Sequence, residues 1–326
     1  FERKRRKTSE WLDRCDTLVS SFNHSGIQKQ DEESFEGTYV LPDLNKETRS
    51  KFKVGELESF TILMKRSTLH LTRNPMTTKI RAGQTIVFAL MIVILYTRLG
   101  DNRTSIQDRN GALFFQALNT VFSAVSNVIV TFPIERAVFL RERANDMYSV
   151  GAYFWAKNVI ELPFSTIFPV LFVCIFYYTI GLSATFTVFL VNVGITVLLV
   201  YAGSGYGLFV ASFFSDVEVA VALTPLVLVP FILFAGLFVN TSNIPVFLAP
   251  LEYLSLFKYG FIALATNEYE NVDLSCEDNA VNACEPLSDL NFDLNVEECA
   301  IILAAMTIGY RIFAFIVLKL GSRGRQ

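Results

Sequence analysis

Histidine is nearly missing from this sequence: there are two, His24 and His70, and both lie in its polar N-terminal part. The five cysteines, Cys15, Cys174, Cys276, Cys284 and Cys299, form no CxxC pair and accompany no histidine cluster, which excludes a zinc site of the usual spacing. Charged residues are also scarce, at 18% against roughly 25% in an ordinary soluble domain. The net charge of −3 points to no partner, and to no nucleic acid. No GxxxxGK[ST] loop, GxSxG elbow, HExxH pair or Rossmann glycine fingerprint occurs, so no catalytic or metal site is expected and none of these nucleotide sites is present. No signal-peptide pattern follows Phe1, and the chain is expected to be a fragment whose missing part lies on the N-terminal side.

What the sequence does have is apolar residues in long blocks. They make up 52% of the chain, and the mean hydropathy is +0.40. Six blocks stand out: about Gln84 to Thr97 (extended upstream by Thr77 to Gly83, with Lys79 or Arg81 snorkelling), Leu113 to Ile134, Phe154 to Ile180, Phe186 to Phe214, Val217 to Val239, and Ala300 to Leu320. Most approach or exceed the roughly 20 residues that cross about 30 Å of hydrocarbon. The fold expected is therefore an all-α membrane protein with six transmembrane helices.

Ahead of the first block, Gly55 to Arg73 interleaves Leu57, Phe60, Ile62, Leu63, Leu69 and Leu71 with Lys65, Arg66 and Arg73, and ends at Asn74-Pro75. That pattern predicts an amphipathic helix lying at a membrane surface over residues 55–75. Arginines and lysines then set the orientation. The basic tail (Arg3 to Lys7), the loop carrying Arg136, Arg141 and Arg143, and the C-terminal Lys319, Arg323 and Arg325 are predicted to be cytoplasmic. The segment 240–298 holds Lys258 alone against eleven Asp and Glu, and is predicted to be a large outer loop. In that oxidising compartment Cys276 and Cys284 become disulfide candidates, within the chain or to a second copy. Asn102 and Asn240 begin glycosylation sequons on the same side, whereas Asn23 is on the wrong side. Cys174 is expected to pack inertly.

Polar residues inside apolar blocks are costly in lipid and face a bundle interior or a cavity. Asn119, Ser123, Ser126 and Asn127 recur at three- and four-residue steps, so they share one helix face. Interhelical hydrogen bonding and the wall of a substrate path both fit that face. Gly203 to Gly207 (GSGYG) inside the fourth block is expected to let helices pack closely. Lys157 and Glu161 form an i,i+4 pair. Ile134 to Tyr148 reads as a short amphipathic cytoplasmic helix whose Val138-Phe139-Leu140 cluster suits docking of a soluble partner. Pro225 and Pro230 bend the fifth span.

Four ordered blocks carry a family resemblance: Leu71 to Pro75; Glu135-Arg136, Phe139 and Arg141-Glu142 running on to Glu161-Leu162-Pro163; Gly236 to Asn240 with Ile244-Pro245; and Leu251 to Ser255, Phe257 to Gly260 and Asn267-Glu268. Over roughly residues 55 to 320 the chain resembles the transmembrane domain of ABC transporters of the G subfamily, White-type half-transporters that export pigment precursors, sterols and drugs. The resemblance implies an ABC-2 type exporter domain, with 1–54 the linker after a nucleotide-binding domain, 55–75 the connecting helix and 76–326 the six-span domain. It implies a dimer, homo- or heteromeric, in the bilayer of the plasma membrane. ATP and Mg would be bound by the nucleotide-binding domain and not by this chain. A hydrophobic small molecule would pass by alternating access through a cavity lined by Phe115, Asn119, Phe122, Ser165, Val229 and Ile232, below an outer plug of Leu237 and Phe238. Ser165 stands where the multidrug member has an arginine affecting substrate choice, and Phe238 departs from that member's paired leucines. The implied coupling helix comprises Glu135, Arg136, Phe139, Arg141 and Glu142. A nucleotide-independent channel or carrier is the rival; it calls for carboxylates deep in the spans, whereas Glu161 and Glu218 sit near span ends. A non-transporting membrane scaffold is the other.

Overall fold

The computed structural model describes residues 55–73, 75–96, 103–145, 147–183, 185–214, 216–238, 248–272 and 294–323. Every described element is a helix. They are α1 (Glu56–Arg73), α2 (Met76–Leu95), α3 (Arg103–Ala144), α4 (Val150–Ile180), α5 (Phe186–Ala211), α6 (Val217–Leu233), α7 (Ala249–Tyr253), α8 (Leu256–Tyr269) and α9 (Val296–Arg323). Five of them, α2, α3, α4, α5 and α9, are long and apolar enough to cross a membrane, and the shorter apolar α6 is the sixth. The chain is an integral, multi-pass membrane protein. Its six apolar helices sit in the six predicted blocks.

Two departures from the sequence reading matter for function. The first is α3, which runs unbroken for 42 residues through Pro133 instead of yielding a separate short helix after the second span. Proline removes one backbone hydrogen bond per occurrence, and here the flanking packing of Phe132 and Phe139, each 1% exposed, keeps the helix going.

The second departure is α8. Segment 240–298, read as a loop, contains a 14-residue helix in which every residue but Lys258 is buried. It packs against α3, α5, α6 and α9. A helix of this length is too short to span and suits a re-entrant element. Ser255 seats it: its hydroxyl caps α8 by accepting from the Lys258 amide, and donates to the Phe231 carbonyl at the end of α6 at 2.7 Å. Between them the chain leaves α6 through a turn at Gly236, whose φ of 91° is open to glycine and strained for other residues.

Candidate functional site

The end of the bundle where α3 passes to α4 is tied together by ions and rings. Arg66 of α1 donates to both oxygens of Glu142 at 2.8 and 3.0 Å, and the Tyr148 hydroxyl donates to the same carboxylate at 2.5 Å. Burial raises the Tyr148 hydroxyl well above its ordinary value, and the Glu142 carboxylate adds to the shift. Burial works against the Arg66 charge, yet the bonded carboxylate holds its pKa above the usual arginine value. Phe139 lies beneath, stacked on Tyr153 of α4 at 4.4 Å between ring centroids. Lys157 donates to Glu135 at 2.7 Å and lies 3.3 Å from Glu161, the predicted i,i+4 partner. Arg136 donates to the Phe214 carbonyl beyond α5 at 3.1 Å.

The implied coupling residues are thus mostly committed inward. Phe139, expected in a docking cluster, is buried and unable to meet a partner. The exposed side consists of Ile134, Ala137, Val138, Arg141 and Ala144, one face at helical spacing.

Further along, α3 and α5 meet in a close seam. A Cβ on Gly203 would lie 3.1 Å from the Ala124 Cβ, and one on Gly207 3.1 Å from the Val125 Cα and carbonyl oxygen. At Gly207 the close neighbours are backbone atoms, so a side chain there would need α3 to give by a few tenths of an ångström. The GSGYG motif is a packing surface, as read. Beside it Gln116, fully buried, donates to the Asn192 side-chain oxygen at 2.7 Å and the Thr196 hydroxyl at 2.9 Å.

The implied cavity residues divide between two surfaces. Asn119 and Ser165 line a groove between α2, α3, α4 and α5, of about 610 Å³ counting space open to the surroundings, together with Ser123 and Asn127 from the predicted polar face. Phe115, Phe122 and Val229 are exposed on α3 and α6, which pack together, and Ile232 is half-buried beside them. At the far end Phe238 is exposed but meets Phe114 edge-on at 5.3 Å, while Leu237 packs on the core. Asn102, Asn240, Cys276 and Cys284 lie outside the described residues. Cys174, expected to pack inertly, is an exposed free thiol on α4.

Three charged features were missed by the sequence reading. Arg109 of α3 and Glu268 of α8 form a 2.7 Å ion pair with side chains 3% and 0% exposed, and the Ser183 amide donates to the same Glu268 oxygen at 2.9 Å. Asn267 and Tyr269, on either side, bond to the Val188 carbonyl and to Asn110. Arg311 lies within the last span, over the Tyr201 ring and 3.4 Å from the Ser204 hydroxyl. An arginine in an apolar block was a signal available from the sequence alone.

The family described as ABC-2 type transporter matches residues 58–269. The chain belongs to the ABC-2 type transporter family. It is 27% identical over 333 residues to Protein white of Ceratitis capitata, covering 97% of this chain and 48% of that one. It is 33% identical over 218 residues to ABC transporter G family member 7 of Arabidopsis thaliana, covering 67% and 30%. Against a broad substrate specificity ATP-binding cassette transporter of Rattus norvegicus it is 34% identical over 208 residues, covering 64% and 32%. Its relatives are White and G-family half-transporters, as the motif blocks implied. The chain spans about half or less of the length of these curated relatives.

Proposed function

We propose that this ABC-2 membrane domain is half of an ATP-driven exporter of amphipathic or lipid-like molecules, working as a dimer by alternating access in the plasma membrane. The observation that carries the reading is the continuity of α3. One helix bears the exposed Phe115 and Phe122 within the membrane and the pinned Glu135 and Glu142 at its charged end. By the charge rule that end is cytoplasmic, and its exposed face of Ile134, Val138 and Arg141 is offered to the nucleotide-binding domain. ATP and Mg act there; this chain holds neither. Closure of those domains pushes α3, and the push reaches the cavity wall without crossing a flexible joint.

The substrate surface is the apolar face of α3 and α6, with Phe115, Phe122, Val229 and Ile232, completed by a second half-transporter, and Leu237 and Phe238 plug its outer exit. An apolar wall with few polar groups binds by burial and not by directed hydrogen bonds, which suits sterols, lipids, pigments or drugs. The test is full-length protein in liposomes, assayed for ATP hydrolysis and for movement of a hydrophobic dye. Phe122→Ala should reduce dye movement and Glu135→Ala should uncouple it from hydrolysis. If both variants keep both activities, these assignments are wrong; dye movement without nucleotide would favour a channel or carrier.

A further inference from the structure

The groove between α2, α3, α4 and α5 is chemically unlike the apolar α3–α6 face. Arg81 and Thr85 come from α2, Asn119, Ser123 and Asn127 from α3, and Glu161 and Ser165 from α4, above Phe164, Phe168 and Phe172. Among the described residues the side chains of Arg81, Asn119, Ser123, Asn127 and Ser165 make no hydrogen bond or ion pair. The Arg81 Nε is buried and unpartnered. In lipid such groups are expensive unless something satisfies them. The groove's other charge, Glu161, lies 3.3 Å from Lys157, which also binds Glu135 at 2.7 Å, so Arg81 is the groove cation without an ionic partner among the described residues.

Length and depth agree with one kind of occupant. From Glu161 to Phe172 is eleven helical steps, about 17 Å, close to the roughly 15 Å of one leaflet's hydrocarbon. Arg81 stands about 8 Å into α2, near the depth where headgroups meet acyl chains. The α3 helix runs opposite to α4, so Asn127 and Ser204 lie toward the Glu161 end and Phe172 toward the deeper one.

We infer that this groove binds an amphipath with a single anionic headgroup, phosphate or carboxylate, drawn from the leaflet next to the α3–α4 turn. The headgroup takes the Arg81 guanidinium and the neighbouring amides and hydroxyls, and an acyl chain lies on Phe164, Phe168 and Phe172. This site is separate from the α3–α6 surface and stands whether or not that surface carries cargo.

The test uses the whole chain in lipid nanodiscs with a phosphatidic acid bearing a photoreactive acyl chain, and cross-links mapped by peptide. Cross-links should fall on α4 near Phe164 to Phe172. Arg81→Gln should reduce them about ten-fold, the loss expected for one charge-assisted contact. Lys79→Gln, an exposed cation two residues away, should change them less than about two-fold, since exposed charges contribute little. Ser165→Trp keeps Arg81 and fills the groove, and should also abolish the signal. Equal losses in Arg81→Gln and Lys79→Gln would show diffuse surface attraction and overturn the proposal. So would equal labelling by the matching diacylglycerol, which lacks the phosphate, or full displacement by inorganic phosphate, which would assign the site to a soluble anion. Each variant is first shown to be monodisperse, and full labelling of a monodisperse Ser165→Trp also overturns it.

Discussion

Replacing Glu268 by Leu should destabilise the protein more than replacing both Glu268 and Arg109. The carboxylate takes Arg109 at 2.7 Å and the Ser183 amide at 2.9 Å, away from solvent. Removing it takes from the guanidinium its buried 2.7 Å carboxylate, which costs about 3–5 kcal/mol for a broken buried pair, and leaves the amide unmet, about 1–3 kcal/mol more. Arg109→Leu alone strands the carboxylate for about 3–5 kcal/mol. In the double variant neither member of this pair is left facing an apolar replacement, and about 1–3 kcal/mol for the amide remains. The single losses would add to about 7–13 kcal/mol, so the double should fall far short of additivity. The assay is titration with sodium dodecyl sulfate in mixed micelles, with helix content followed by far-ultraviolet circular dichroism. A double variant as unstable as the summed singles, or an Arg109→Leu loss under about 1 kcal/mol, well below the range for buried pairs, would refute the reasoning.

Other outcomes follow from the same geometry. Gly207→Leu should force α3 from α5 and cost at least about 1–3 kcal/mol, while Gly205→Ala, with its nearest neighbour at 3.4 Å, should be nearly silent in the same titration. Gln116→Leu removes the donor to Asn192 and Thr196 and should cost about 1–3 kcal/mol; an unchanged midpoint would mean that the buried amide carries no weight. Arg66→Glu in the full-length transporter should lower dye-stimulated ATP hydrolysis, and adding Glu142→Arg should restore it if the pair aligns α1 with the end of α3.

The spans were legible because apolar runs of about 20 residues have one stable solution in lipid. Gly203 and Gly207 were legible as packing for the same reason, since small residues at four-residue spacing bring backbones together. The short buried α8 was not. Lys258, Thr266, Asn267 and Glu268 dilute its hydropathy, and what buries it is partners far away in sequence: Arg109, Ser183 and Val188. Nor could spacing show that Phe139 turns inward to Tyr153, because an amphipathic stripe does not say which of its faces meets the protein. Of the polar face read on α3, Asn119, Ser123 and Asn127 line one groove and Ser126 does not. That Asn119 parts company with Phe115 and Phe122 depends on where α4 and α5 stand, and that is tertiary information.

The glycine seam also sets the mechanics of α3. Gly203 and Gly207 press against residues 121 to 128, close to the middle of a helix running from 103 to 144. About 30 Å of helix extends on each side, so the seam acts as the fulcrum of a balance with nearly equal arms. A small displacement at Glu142 would return at Arg109 with similar size and opposite sense, and Arg109 is fastened to α8. Any rigid tilt of α3 about the seam would therefore carry α8 in the sense opposite to the charged end.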